Sequence, residues 1–148
     1  MRKWKGIIIH CSDSSFGSAS IINKWHKERG WRGIGYHFVI LNGVISPNTV
    51  SVFMNGAIEK GRPLTMTGAH AKGYNRDYIG ICLIGDGSKP FTKAQMNALI
   101  KLLKELVAQF SIKPENILGH NEVNPNKTCP CFNVKEFLNK HKEEIYGF

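Results

Sequence analysis

The chain has 148 residues, 42% of them hydrophobic and 21% charged, which fits one compact domain with one core and is too apolar for a disordered chain. Its net charge of +9 suits an anionic polymer, nucleic acid or bacterial wall, without choosing between them, and a solvated basic surface accounts for it equally well. No apolar run approaches the roughly 20 residues that span a bilayer, and only Ile7, Ile8 and Ile9 stand together before His10, too few for a signal-peptide core, so the expectation is a protein made and kept soluble in the cytoplasm with its cysteines reduced.

Residues 5–11 form a β-rich apolar run, short enough for a buried strand that ends in polar Ser12, Asp13, Ser14 and Ser15, so His10 falls at a strand end. Ser20 can cap a helix running to about Arg29, with Ile21, Ile22 and Trp25 on one side and Gly30 as its stop. Residues 36–41 read as a second strand, and Asn42-Gly43 followed by Val44-Ile45-Ser46 predicts a hairpin, because Asn-Gly tolerates the positive φ of a two-residue turn. Residues 47–75 are rich in Gly, Asn, Thr and Pro without sustained periodicity and are expected to be long loops lining a groove. A further buried strand follows at residues 78–85.

Thr92 and Gln95 spell a capping box, and Met96, Leu99, Leu103, Leu106, Val107 and Phe110 recur at helical spacing behind it. A short strand near Ile117 and Leu118 leads to His120, and Asn133 with Glu136 opens a last helix carrying Val134, Phe137 and Leu138. The predicted fold is therefore α/β: a single domain over residues 1–148, a central mixed β-sheet flanked by about three helices, with the site at the strand ends.

Three residues at those ends stand out as metal ligands: His10, His120 and Cys129. Two imidazoles and one thiolate are a zinc set, and three protein ligands leave a fourth position for water, which is the arrangement of a catalytic site. Taken singly, His10 reads more readily as a satisfied histidine at a strand end, and Cys129 or Cys131 as a small buried hydrophobe. Cys11 and Cys82 lie inside apolar strands and read as core.

The segments Ile8-Ile9-His10-Cys11-Ser12, Trp25-His26-Lys27 with Gly30-Trp31, Gly35-Tyr36-His37-Phe38, Gly68-Ala69-His70-Ala71-Lys72-Gly73-Tyr74-Asn75, Ile79-Gly80-Ile81, Gly119-His120 and Lys127-Thr128-Cys129-Pro130 occur in that order. Together they resemble the type 2 N-acetylmuramoyl-L-alanine amidases, a family that includes phage amidase lysozymes and peptidoglycan recognition proteins, over nearly the whole chain. The resemblance implies one zinc ion per chain on His10, His120 and Cys129, Tyr36 and Lys127 as assisting catalytic residues, and His70 and Asn75 in the substrate groove. It implies hydrolysis of the amide bond between N-acetylmuramic acid and L-alanine in peptidoglycan or muropeptides.

One departure is local. The loop from His120 to Cys129 is a residue longer than in close relatives, and Cys131 stands where the family has small residues; Pro130 after Cys129 fits the family pattern and favours Cys129 as the ligand. The competing reading is a non-catalytic peptidoglycan-recognition module, against which the thiol of Cys129 argues. A nucleic-acid binder would call for a basic helix or an aromatic platform, and the sequence offers neither. The expected protein is a monomeric phage or prophage lysis enzyme, cytoplasmic as synthesised, acting on the wall after release or else on cytoplasmic muropeptides.

Overall fold

The computed structural model describes residues 2–148. Its strands are β1 (Gly6–Cys11), β2 (Phe38–Ser46), β3 (Thr49–Lys60), β4 (Tyr78–Leu83) and β5 (Ile117–Gly119). Its α-helices are α1 (Ala19–Glu28), α2 (Lys93–Phe110), α3 (His120–Val123) and α4 (Val134–Tyr146). The strands form one mixed sheet in the order β3-β2-β4-β1-β5. β1 pairs in parallel with both β4 and β5, β2 pairs in parallel with β4, and β3 returns antiparallel along β2.

Every residue of β1 and β4 is buried. Helices and loops cover both faces of these central strands, so their sequences are unbroken apolar runs rather than alternating ones. Alternation survives in the packing. Ile7 and Ile9 of β1 and Ile79, Ile81 and Leu83 of β4 meet Leu99, Leu103 and Leu106 of α2 and Phe137 of α4. On the opposite face Val39, Leu41, Cys82 and Ile84 meet Ile22 of α1. His10 lies one position after Ile9, directly opposite Cys82, and so belongs to the α1 face at the end of the sheet.

The capping boundaries follow the sequence closely at two helices. Thr92 and Gln95 complete their reciprocal box at the start of α2, and the Asn133 side chain accepts from Glu136 N at the start of α4. At α1 the cap is Ser18, whose hydroxyl accepts from Ile21 N, two residues before the expected Ser20. Four helices flank the sheet where about three were expected; the addition, α3, is four residues long, too short to leave a periodic signal.

The hairpin lies elsewhere than predicted. Asn42 and Gly43 are inside β2, where the pairing with β3 shifts register on both sides of Asn42 and Gly43 takes φ +89°. The positive φ that favours a turn serves here as a bulge, with Asn42 Oδ1 accepting from Val44 N at 3.0 Å. The chain reverses at Pro47 and Asn48, and residues 49–60, expected as loop, form β3. Val50, Val52 and Phe53 near the hairpin tip are 70%, 74% and 94% exposed. Without a buried face, that edge strand carries no period-two pattern to read.

Candidate metal centre

His10, His120 and Cys129 converge from three separate places. His10 is the last residue but one of β1 and is 1% exposed; His120 begins α3 directly after β5; Cys129 sits in the loop before α4. Their ligand atoms all lie within 4.8 Å of one another, and Cys131 is not in that cluster. The main chain holds the thiol in place: Cys11 N donates to Cys129 Sγ at 2.8 Å, and Asn121 N donates to the Cys129 carbonyl at 2.7 Å. The Cys129 Sγ also lies 3.7 Å from the Cys11 carbonyl, so the sulfur is fixed against the end of β1, as a metal ligand needs to be.

The hydrogen bonds of the imidazoles fix their tautomers. His70 Nε2 lies 2.9 Å from the Tyr78 carbonyl, which can only accept, so this nitrogen carries the proton. Burial holds the His70 pKa down at about 4, so the ring is neutral and its Nδ1 is bare. His10 Nε2, 2.8 Å from that Nδ1, must then be the donor. The remaining nitrogen of His10, Nδ1, is left with its lone pair free for a metal. Burial, reinforced by His70 and His120, holds His10 well below the ordinary imidazole pKa, and His120 is lowered by burial and by the charge of Lys127. All three rings are in the neutral form that metal binding requires.

Gly80 makes this stack possible. A Cβ at that position would lie 2.6 Å from Cγ of His70, so only glycine in the middle of β4 lets the His70 ring lie down on the sheet. The ring is also anchored through its backbone, since Asn75 Oδ1 accepts from His70 N at 2.6 Å and from Ala71 N at 2.8 Å.

The centre opens into a cleft of about 760 Å³, and every site residue singled out from the sequence lines it. The Tyr36 ring centroid is 5.0 Å from that of His10. Tyr36 lies two residues ahead of β2 rather than within it. Burial raises its pKa well above the ordinary phenol value, so the hydroxyl keeps its proton and remains a donor. Lys127 is exposed at the rim, and Asn75 lines the wall with its amide oxygen already engaged. Arg29 and Trp31 also line the cleft, with the guanidinium 5.6 Å from the indole centroid. Trp31 belongs to one of the segments that carry the family resemblance, but neither it nor Arg29 is given a site role by the sequence; a Trp 41% exposed beside an Arg at the cleft is the signal that structure supplies.

Asp13 is the single carboxylate among the described residues lining the cleft. Glycoside hydrolysis ordinarily needs two. Two neutral imidazoles and a cysteine sulfur that could hold a metal, with a phenol and Lys127 nearby, instead suit metal-assisted activation of water and stabilisation of an oxyanion, the chemistry of acyl transfer.

Comparison with known proteins agrees with this chemistry. Residues 1–132 match the family described as N-acetylmuramoyl-L-alanine amidase. The chain is 38% identical over 145 residues to the endolysin of Escherichia phage T7, covering 92% of this chain and 86% of that one. Among solved structures, the N-acetylmuramoyl-L-alanine amidase LysC from Clostridium intestinale URNW superposes with a TM-score of 0.80 at 30% identity, covering 95% of this chain and 87% of that chain. Wild-type Drosophila PGRP-LB superposes with a TM-score of 0.72 at 28% identity, covering 95% and 81%.

Proposed function

Since the chain belongs to the N-acetylmuramoyl-L-alanine amidase family and is a peptidoglycan amidase of the endolysin kind, we propose that its one domain holds one zinc ion on His10 Nδ1, His120 and Cys129. The observation that carries this reading is the gathering of those three donors, all within 4.8 Å, with His10 presented in the tautomer that leaves Nδ1 free. The softness of a cysteine sulfur and the absence, among the described residues, of a fourth protein ligand from the cluster favour zinc in an open site over a closed structural one. Bound there, the metal supplies Lewis acidity for the attack of water on the amide between N-acetylmuramic acid and L-alanine.

The chain's own groups do the rest. Tyr36, protonated, donates a hydrogen bond to the attacked carbonyl oxygen as charge develops on it, and Lys127 brings a positive charge to the same side from the rim. His70 and Asn75 shape the groove that receives the muropeptide, His70 from behind His10 and Asn75 through the 70–75 turn. The basic surface favours approach to an anionic wall.

The protein acts as a monomer in phage or prophage lysis, made in the cytoplasm and cutting the wall after release. Among the described residues no helix is long and apolar enough to cross a membrane. Digestion of purified peptidoglycan tests the reading. Free amino groups on L-alanine should appear, measured by dinitrophenylation, while a reducing-sugar assay stays flat; new reducing ends without new alanine amines would refute it.

A further inference from the structure

Two sulfurs outside the proposed metal triad face each other beside it. Cys11 Sγ and Cys131 Sγ lie 4.0 Å apart, although the residues are 120 positions apart in the chain. Both are free thiols, Cys11 buried and Cys131 exposed. Cys11 directly follows His10, and Cys131 lies two residues beyond Cys129, so the pair brackets the ligand set. The Cys131 sulfur also packs over Gly87, where a Cβ would come within 2.7 Å of it, so the side chain is turned toward the body of the protein. Closing 4.0 Å to the roughly 2.05 Å of an S–S bond asks for about 2 Å of movement. The loop between α3 and α4, which carries Cys131 outside any helix or strand, is the part able to move.

We propose that Cys11 and Cys131 are a disulfide pair, and that in an oxidising compartment they form a cross-link that ties the end of β1 to the Cys129 loop while leaving Cys129 to the metal. The role given to Cys129 rests on the metal reading above. The oxidant is a disulfide, represented by oxidised glutathione. Exposed Cys131, as thiolate, attacks one glutathione sulfur and releases the other as a thiolate. Cys11, as thiolate, then attacks the Cys131 sulfur of the mixed disulfide and releases the second glutathione. Two protein thiols are oxidised, one glutathione disulfide is reduced to two thiols, and the two thiol protons pass to the departing glutathiones. Cys11 is buried and Cys131 exposed, so the mixed disulfide forms on Cys131 first. Cys82, fully buried in β4, takes no part.

Zinc-loaded protein incubated for hours with oxidised glutathione tests this. Peptide mapping should recover the Cys11 and Cys131 peptides joined, with two thiols lost by thiol titration of the denatured protein. Zinc content, read with a pyridylazo dye, should be unchanged, and the melting temperature should rise by roughly 5–15 °C, as closure of a very long loop implies. Cys131→Ser should keep zinc and show neither the cross-link nor the rise. A glutathione adduct confined to Cys131, or a bond to Cys129 with release of zinc, would overturn the pairing. If the untreated protein takes up no zinc, the metal reading fails on its own, and peptide mapping still decides the disulfide.

Discussion

An imidazole that must present one chosen nitrogen to a metal needs its other nitrogen occupied, and in this protein a second imidazole does that. His70 is fixed by the Tyr78 carbonyl at 2.9 Å and in turn fixes His10 at 2.8 Å. Replacing His70 by Leu should weaken zinc binding by roughly 10–100-fold, measured by competition with a chelating dye. His70→Asn, whose amide oxygen can stand in for Nδ1, should recover part of that loss; equal affinities for the two variants would show that the hydrogen bond does not matter. Tyr36→Phe and Lys127→Ala should behave differently, retaining zinc while turnover falls by roughly 10² or more, and wild-type wall digestion by both would remove them from the reaction. The sequence shows His10, His120 and Cys129 as candidates because each residue type carries metal chemistry. It does not show that His70 lies behind His10, because that contact joins residues 60 positions apart and depends on the missing side chain of Gly80.

Between elements, α1 controls where Tyr36 stands. Asn23 Oδ1 accepts from Ile34 N and His26 Nδ1 accepts from Gly35 N, both at 2.9 Å, so two side chains from one face of the helix pin the segment that leads into Tyr36. Burial first, then the charges of Arg29 and Arg62, depress the His26 pKa from 6.5 to about 4. Between those two values the unfolded chain binds more protons at this position than the folded one, so stability is whole above about pH 6.5 and declines as pH falls toward about 4. His26→Asn keeps an acceptor without a titrating group, and urea unfolding of the metal-free protein at pH 7.5 and 4.5 should show a smaller drop for it than for the wild type.

A second junction joins α2 to the hairpin. Thr92 Oγ1 accepts from Gln95 N and also donates to Asn55 Oδ1 of β3 at 2.6 Å. Thr92→Ala should therefore cost about 1–2 kcal/mol, read as a lower urea midpoint at unchanged slope. The Thr92 box was legible because it is local, four residues read in a line. The β2-β3 hairpin was misplaced for the opposite reason: Asn42-Gly43 announces positive φ, and only the pairing with β3 decides whether that φ makes a turn or a bulge.

At the scale of the whole molecule, zinc held at the proposed centre would be coupled to the fold. A ligand bound by the folded state alone adds RT ln(1 + [L]/Kd), about 2.7 kcal/mol at 100 times Kd. Zinc at that excess should raise the melting temperature by about 5–10 °C over the chelator-treated protein, and an unchanged melting temperature would mean that no site forms. The sheet's parallel pairing has a further effect. β1 finds neither of its neighbours until β4 and β5 exist, and His10 finds its partners only at His120 and Cys129. A chain that has not reached residue 129 therefore contains the first ligand and the Tyr36 segment, yet lacks one wall of the cleft and the third donor. Premature termination before residue 129 leaves a chain without the ligand set, whatever part of the sheet it forms.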